Sequence, residues 1–259
     1  MENTKKKKIN LNRKFWLILL VSILAIGLLV GLNWATYARP PLSDALSAME
    51  SDALVVVSEE PWLTFSPAGG EPETGFIFYP GGRVDPQGYA PLMRGIASEN
   101  YLVIIPEMPL NMAPFKPDIA DEIIAYYPEI DHWIIGGHSV GGTFAARYTN
   151  QNRETIDGLV IWASYPAGNM DLSDYSGLTT SIYGSQDPGV NDVQIEENKH
   201  LLPAQTNFVR IDGGDHHQFG SYLIKPEENH AIVDRASQHA AIINATLDIL
   251  NEVSNLPGK

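Results

Sequence analysis

The sequence contains no cysteine, and this absence excludes several kinds of chemistry. It rules out disulfide bonds, a thiolate nucleophile and zinc sites with cysteine ligands. Basic residues are also few, since 17 Lys and Arg stand against 31 Asp and Glu. The first 38 residues hold six of the basic residues and one Glu, so the remaining chain has a net charge of −19. Such an acidic domain should repel nucleic acid and anionic lipid, which argues against a nucleic-acid partner.

Long apolar runs are absent except near the N-terminus, where residues 15–32 carry no charge. A run of this length can span a bilayer as a helix. Basic residues precede it, so the positive-inside rule predicts a cytoplasmic segment at 1–14, a signal-anchor at 15–37 and an extracellular remainder. That remainder is divided into a linker at 38–52 and a globular domain at 53–255. The alternative is secretion after cleavage of a signal peptide at Ala38.

Strand-like and helix-like segments alternate through the globular part. The predicted strands lie at 53–57, 62–66, 75–79, 101–105, 132–136, 157–164, 178–184 and 206–211, and the first two form an antiparallel hairpin. Helices are predicted at 89–99 and 117–127, and a long C-terminal helix starts near Ile232 with Asn229 as its N-cap. Apolar strands that alternate with helices indicate a mostly parallel sheet with helices on both faces. Ligands bind beyond the carboxyl ends of such strands.

One of the loops at these strand ends has the form Gly-x-Ser-x-Gly, with Ser139 at its centre. It follows a strand and precedes a helix-competent segment, as in a sharp turn that exposes a nucleophilic serine. Glycines are needed two residues before and two after the serine, because a Cβ there would clash.

A serine hydroxyl needs a general base, which in turn needs a carboxylate to orient it. Asp187 follows a later strand, and the adjacent pair His216 and His217 follows the last one. The chain order Ser, Asp, His therefore matches that of a nucleophile-elbow hydrolase, and either histidine could be the base. A metal site at the histidine pair is not expected, because adjacent loop residues seldom converge on one ion. No cofactor is expected either.

Four segments together carry a family resemblance: FIFYPGGRVDPQGYAPLMRGIASENYLVIIPEMPLNMAPF, GGHSVGG, YGSQDPG and GGDHHQFG. The chain resembles the α/β-hydrolase superfamily over residues 50–255, and most of all its small bacterial members related to dienelactone hydrolases. The resemblance implies an eight-stranded sheet with Ser139 as nucleophile, Asp187 as acid and His216 as base. Many α/β hydrolases insert a cap domain after the sixth strand, but here the segment from Tyr165 to Leu178 is too short for a helical cap, so no cap domain is expected. It favours His216 over His217 because the family base directly follows an acidic or amide residue. Dienelactone hydrolase has cysteine in place of Ser139, which weakens the transfer of its particular substrate but not of the fold.

The remaining expectations concern the oxyanion hole and the substrate. The oxyanion donors are the amide of Val140 and one from the loop after the third strand, with Gly82 first and Arg83 next. Met108, Asn111 and Tyr165 are candidate substrate contacts. The predicted function is a serine hydrolase that cleaves an ester-type bond in a small molecule or envelope substrate. The alternatives are a membrane-tethered acyltransferase or peptidase, and a binding protein that retains the fold without turnover.

Overall fold

The computed structural model describes residues 13–258, which divide into two units after Tyr37. In the first unit, α1 (Arg13–Thr36) contains a stretch, Arg13–Gly31, that is long and apolar enough to cross a membrane. Its mean hydropathy is 2.4, and no polar face interrupts it. Most of the predicted basic segment, up to residue 12, lies outside the described residues.

The second unit, Ala38–Lys259, holds all eight strands and the other helices. The strands are β1 (Val55–Ser58), β2 (Leu63–Pro67), β3 (Thr74–Tyr79), β4 (Leu102–Ile105), β5 (His132–His138), β6 (Gly158–Trp162), β7 (Leu178–Gly184) and β8 (Asn207–Ile211). The helices are α2 (Ser43–Ser47), α3 (Ala90–Ala97), α4 (Ile119–Tyr126), α5 (Val140–Gln151), α6 (Asp192–Asn198) and α7 (Arg235–Ser254). The eight predicted strands are therefore confirmed, with ends that shift by a few residues.

The strands form one sheet in the order β1-β2-β4-β3-β5-β6-β7-β8. Strands β3 to β8 are parallel, whereas β2 is antiparallel to both β1 and β4. The predicted mostly parallel sheet and N-terminal hairpin are thus confirmed. The carboxyl ends of the parallel strands share one edge of the sheet, so the loops that follow them lie close together.

Two apolar layers cover the sheet, one on each face. Along β3, Phe76 and Phe78 belong to the layer that contains α3 and α7, while Ile77 and Tyr79 belong to the layer of α4 and α5. This alternation follows from the two-residue period of a strand. Both faces of β3 are buried, which explains why the strand is an unbroken apolar run instead of an alternating one.

The start of the last helix differs from the prediction. Helix α7 begins at Arg235, and its N-cap is Asp234, whose carboxylate accepts a hydrogen bond from the Ser237 amide at 2.9 Å. Asn229 ends a short 3₁₀ turn, and Ile232 is 79% exposed. The helical spacing at Ile232 is therefore coincidental. The Gly213 carbonyl accepts a hydrogen bond from the Ile232 amide, which holds this segment as a loop.

Residues 38–52, expected to be a linker, lie within the second unit and pack on its loops. The Arg39 amide donates to the Arg83 carbonyl at 2.7 Å, and the Arg39 carbonyl accepts from the Asp85 amide at 3.1 Å. The Arg39 guanidinium forms two hydrogen bonds of 2.7 Å with the carboxylate of Glu228. The segment therefore ties the loop after β3 to the region that follows β8.

Candidate active site

Ser139 lies between β5 and α5 in a backbone conformation that side chains rarely adopt. Its φ is 53° and its ψ is −124°. The Ser139 amide donates to the Trp162 carbonyl at 3.0 Å, and the Ser139 carbonyl accepts the Thr143 amide at 3.2 Å. The residue thus ends the strand pairing and begins the helix at the same point. A strained serine at a strand-to-helix turn is the geometry of a nucleophile elbow.

Close backbone contacts explain the glycines on either side of Ser139. A Cβ on Gly137 would lie 2.5 Å from the carbonyl carbon of Gly141 and 2.7 Å from the amide nitrogen of Gly142. A Cβ on Gly141 would run into the carbonyl oxygens of Tyr79 and Pro80. These neighbours are backbone atoms that have little freedom to move aside, so the turn is closed only because both positions lack a side chain.

Asp187 and His216 are directly paired. The distance from His216 Nδ1 to Asp187 Oδ2 is 2.6 Å, and the Asp187 side chain is 1% exposed. The other carboxylate oxygen accepts the amides of Gly189 and Val190 at 2.7 and 2.9 Å. Burial by itself raises the pKa of Asp187, but the hydrogen bond and charge of His216, with the two amides, outweigh it and lower that pKa.

The pairing determines which nitrogen of His216 can act as a base. An ionised carboxylate only accepts hydrogen bonds, so Nδ1 of His216 carries the proton that Asp187 receives. In the neutral ring Nε2 is then unprotonated and can accept a proton. The His216 side chain is 20% exposed, so this nitrogen belongs to a group that remains accessible.

The loop after β3 has one amide that suits an oxyanion donor. The Arg83 amide donates to the Asn111 carbonyl at 2.8 Å, so it is already engaged in this structure. The Gly81 amide likewise donates to the Tyr89 hydroxyl at 2.9 Å. Within the described chain, Gly82 and Val140 form no amide hydrogen bond, and a Cβ on Gly82 would lie 3.0 Å from Val140 Cγ1. The amides of Gly82 and Val140, neither of which is engaged in a hydrogen bond, therefore belong to residues that lie next to each other.

Helix α5 adds an electrostatic contribution at the same place. Val140 is its first residue, so the positive end of the helix dipole lies beside Ser139. The first amides of a helix have no acceptor within the helix, which makes this end suited to an anion. The arrangement can stabilise negative charge that develops next to the Ser139 hydroxyl.

His138, the residue before Ser139, connects two loops of the site. Its Nδ1 is 2.9 Å from the Tyr89 hydroxyl, and its Nε2 is 3.1 Å from the His216 carbonyl oxygen. The side chain is buried, and its ring stacks on Phe219 with a centroid separation of 5.6 Å. The missed signal is the residue type, because a polar ring between glycine and serine at a buried strand end needs hydrogen-bond partners.

The predicted substrate contacts have different environments. Met108 is 5% exposed and belongs to the core, although it lines a cavity of about 210 Å³ with Asn111 and with Asp85 of the loop after β3. Tyr165 is half-buried against the cluster near β7 and α6. Residues 163–177, between β6 and β7, form no helix, in agreement with the absence of a cap.

The other acidic and histidine residues near His216 serve the loop. Asp215 is fully buried, and its carboxylate accepts the His217 amide at 2.8 Å and the His230 amide at 3.2 Å. His217 is half-buried against Tyr222. Across residues 13–258, no group of three His, Asp or Glu side chains is arranged to hold a metal ion.

Comparisons with known proteins agree with this architecture. Solved structures with the same fold include a protein described as a predicted CIB-like hydrolase from Thermoplasma acidophilum, with a TM-score of 0.57, 17% identity and coverage of 76% of this chain and 99% of that one. A protein named as a dienelactone hydrolase from Klebsiella pneumoniae subsp. pneumoniae has a TM-score of 0.56, 15% identity and coverage of 73% and 92%. One chain described under "LipS and LipT, two metagenome-derived lipolytic enzymes" is matched with a TM-score of 0.53, 13% identity and coverage of 77% of this chain and 98% of that one.

A comparison with curated protein sequences finds no match. A family model described as "Alpha/beta hydrolase family" matches residues 75–240, which is more than half of the chain and includes the Ser139 turn, Asp187 and His216. This match, together with the eight-stranded sheet and its strand order, confirms the fold expected from the sequence. The chain belongs to the α/β-hydrolase family.

Proposed function

We propose that this protein is a serine hydrolase that cleaves an ester-type acyl bond with Ser139, His216 and Asp187. The observation that carries the proposal is the 2.6 Å hydrogen bond between His216 and Asp187, on loops beside the strained turn that bears Ser139. Membership of a hydrolase family, with lipolytic enzymes among its structural neighbours, supports hydrolysis as the reaction class.

In the proposed reaction, the Ser139 oxygen attacks the acyl carbonyl and its proton passes to Nε2 of His216. Asp187 stabilises the imidazolium, and its low pKa keeps it ionised throughout. His216 then protonates the leaving alcohol, and an acyl group remains on Ser139. A water molecule, deprotonated by His216, releases the acid and restores the serine.

The amides of Gly82 and Val140 are the proposed oxyanion donors, since both are unengaged in the described chain. Each good donor of this kind contributes about 3–4 kcal/mol to transition-state stabilisation. The proposed substrate contacts Asn111 and Met108 line a cavity of about 210 Å³ together with Asp85 of the loop after β3, and Tyr165 lies on the loop after β6. The absence of a helical cap in residues 163–177 favours an open site that accepts acyl groups of several sizes.

The proposed location is a cell membrane, with α1 as a signal-anchor and the catalytic domain outside. The length and hydropathy of Arg13–Gly31 support a membrane span, and the basic residues before it support a cytoplasmic N-terminus. Protease added to intact cells should then remove the domain. In cells without protease, the whole protein should remain with the washed membranes. Recovery of a soluble protein that starts at Arg39 would instead indicate a cleaved signal peptide.

Labelling with a fluorophosphonate tests the catalytic proposal. The reagent should modify Ser139 in the wild type, and Ser139→Ala should lose both the label and the hydrolysis of short-chain p-nitrophenyl esters. Ser164→Ala is the matched control, because this serine is buried near α5 and bonds to Thr143 outside the proposed triad. Labelling that persists in Ser139→Ala would place the nucleophile elsewhere.

A further inference from the structure

A continuous set of hydrogen bonds joins the oxyanion loop to the loop of His216. It runs from the Gly81 amide to the Tyr89 hydroxyl at 2.9 Å, and from that hydroxyl to His138 Nδ1 at 2.9 Å. It continues from His138 Nε2 to the backbone carbonyl oxygen of His216 at 3.1 Å. His138 is therefore the only side chain of this set that contacts both Tyr89 and the residue proposed as the base.

The chemistry of the partners determines which atoms of this set carry hydrogens. A carbonyl oxygen only accepts, so His138 Nε2 carries a hydrogen and donates it to His216. In the neutral ring Nδ1 is then an acceptor, which takes the hydroxyl hydrogen of Tyr89. The Tyr89 oxygen in turn accepts from the Gly81 amide. Every donor in the set has one acceptor, and no proton has to be shared.

The surroundings of His138 hold it in this neutral form and in one orientation. Burial lowers the pKa of His138 well below its usual range, and the neighbouring charges of His216 and His217 lower it further. Its ring stacks on Phe219 at an angle of 9°, and the His216 ring centroid is 4.7 Å away. A Cβ on Gly81 would lie only 2.6 Å from His138 Nδ1, so the oxyanion loop packs directly on the ring.

We infer that His138 is a positioning residue that holds the oxyanion loop and the general base in register with Ser139. The inference rests on the proposed function. Through Tyr89, His138 fixes Gly81, the residue next to the proposed donor Gly82. Through its other nitrogen it fixes the backbone of His216. One side chain thus sets the distance between the groups that bind the oxyanion and the group that takes the proton.

The neutral state of His138 also matters during turnover. His216 becomes positively charged when it accepts the serine proton. A second charged imidazole at a centroid distance of 4.7 Å would oppose that charge, whereas a neutral ring does not. The His138 side chain bonds to the backbone carbonyl of His216, so this hydrogen bond does not use the ring nitrogens of His216 that hold and exchange protons.

Three variants of the full-length protein test this role. His138→Phe keeps a ring against Phe219 and removes both hydrogen bonds, while His138→Gln retains an amide that can donate to the His216 carbonyl. Tyr89→Phe removes only the hydroxyl between Gly81 and His138. The matched control is Tyr175→Phe, which also removes a buried hydroxyl, bonded to the Ile156 carbonyl at 2.6 Å before the amino end of β6.

Three quantities are measured. They are kcat, normalised to the active sites titrated with fluorophosphonate, KM, and the acid limb of the pH–rate profile. In His138→Phe we expect kcat per titrated site to fall about 10–100-fold with KM within about threefold, because the reacting groups are misplaced while substrate contacts remain. The acid limb of the pH–rate profile should shift, because the loss of the His138 contacts changes the position and surroundings of the His216 ring. His138→Gln should recover part of the loss, and Tyr89→Phe should lose less than His138→Phe.

A purely structural role gives a different result. It would reduce the titrated fraction and the Tm of His138→Phe, as Tyr175→Phe does, but leave kcat per titrated site and the acid limb unchanged, and this would overturn the inference. If His138→Phe does not fold, a wild-type kcat per site in both His138→Gln and Tyr89→Phe overturns it equally. Failure of the wild type to label at Ser139 would instead refute the proposed function, and the inference would fall with it.

Discussion

Gly137→Ala is the substitution for which the structure gives the most direct expectation. The new methyl group would lie 2.5 Å from the carbonyl carbon of Gly141 and 2.7 Å from the amide nitrogen of Gly142. Ordinary carbon–carbon contacts are about 3.5–4.0 Å, so the start of α5 would have to move by about 1 Å. Ser139 lies within the loop between these contacts and would move with it.

The size of the effect follows from this displacement. Overpacking of a buried site costs about 1–3 kcal/mol. For a domain of this size, that corresponds to a decrease in Tm of roughly 3–10 °C. A displacement of about 1 Å at the reacting oxygen costs on the order of 10²-fold in rate. We therefore expect a folded but less stable protein whose kcat/KM for p-nitrophenyl esters, and whose rate of fluorophosphonate labelling, are each lower by about 10²-fold.

The assay compares Gly137→Ala with Gly168→Ala by thermal unfolding, ester hydrolysis and labelling rate. Gly168 is exposed on a loop, and a Cβ added there would have no neighbouring atom within 4 Å, so its substitution should change neither Tm nor activity appreciably. The reasoning is refuted if Gly137→Ala matches Gly168→Ala in all three measurements. A lower Tm with a wild-type labelling rate would show that the turn relaxes without moving the serine.

Further predictions concern the base, the N-terminal boundary and acid stability. His216→Ala should lower kcat by at least about 10³-fold, whereas His217→Ala should keep most of the activity, and the reverse result would exchange their roles. A chain of residues 38–259 should be folded and active, but one of 45–259 should lose stability and activity, because it lacks the hydrogen bonds to the oxyanion loop; equal behaviour of the two would contradict this. Burial lowers the pKa of His239 to about 4, so stability should be complete above pH about 6.5 and fall as the pH decreases towards 4, by up to about 3 kcal/mol from this residue. The decrease in Tm on acidification should be smaller in His239→Gln, and an unchanged slope would contradict the assignment.

Local sequence patterns were sufficient to predict most of the fold. The apolar runs at β3, β4 and β5 are fully buried strands, and their lengths with the intervening glycines and helices predict a parallel sheet. The turn at Ser139 was predictable because its glycines are required by contacts within a few residues of chain. Such features depend on neighbours in sequence, so composition and spacing reveal them.

The candidate site was predicted only in part. The order and loop positions of Ser139, Asp187 and His216 follow from the alternation of strands and loops. Spacing alone did not separate His216 from His217, and the 2.6 Å contact with Asp187 depends on how β7 and β8 bring their loops together. Spacing also did not separate Gly82 from Arg83 as the oxyanion donor, because the hydrogen bond of the Arg83 amide to the Asn111 carbonyl joins two separate loops.

Contacts between distant segments were decided by the tertiary structure alone. Arg39 packs on Arg83 and Glu228, which follow it in the chain by 44 and 189 positions. Nothing in the local sequence of 38–52 indicates these contacts. The role of His138 likewise depends on Tyr89 and His216, which reach it from opposite sides. Hydrogen bonds of this kind have no periodic signature, because their partners are selected by the folded backbone and not by adjacency along the chain.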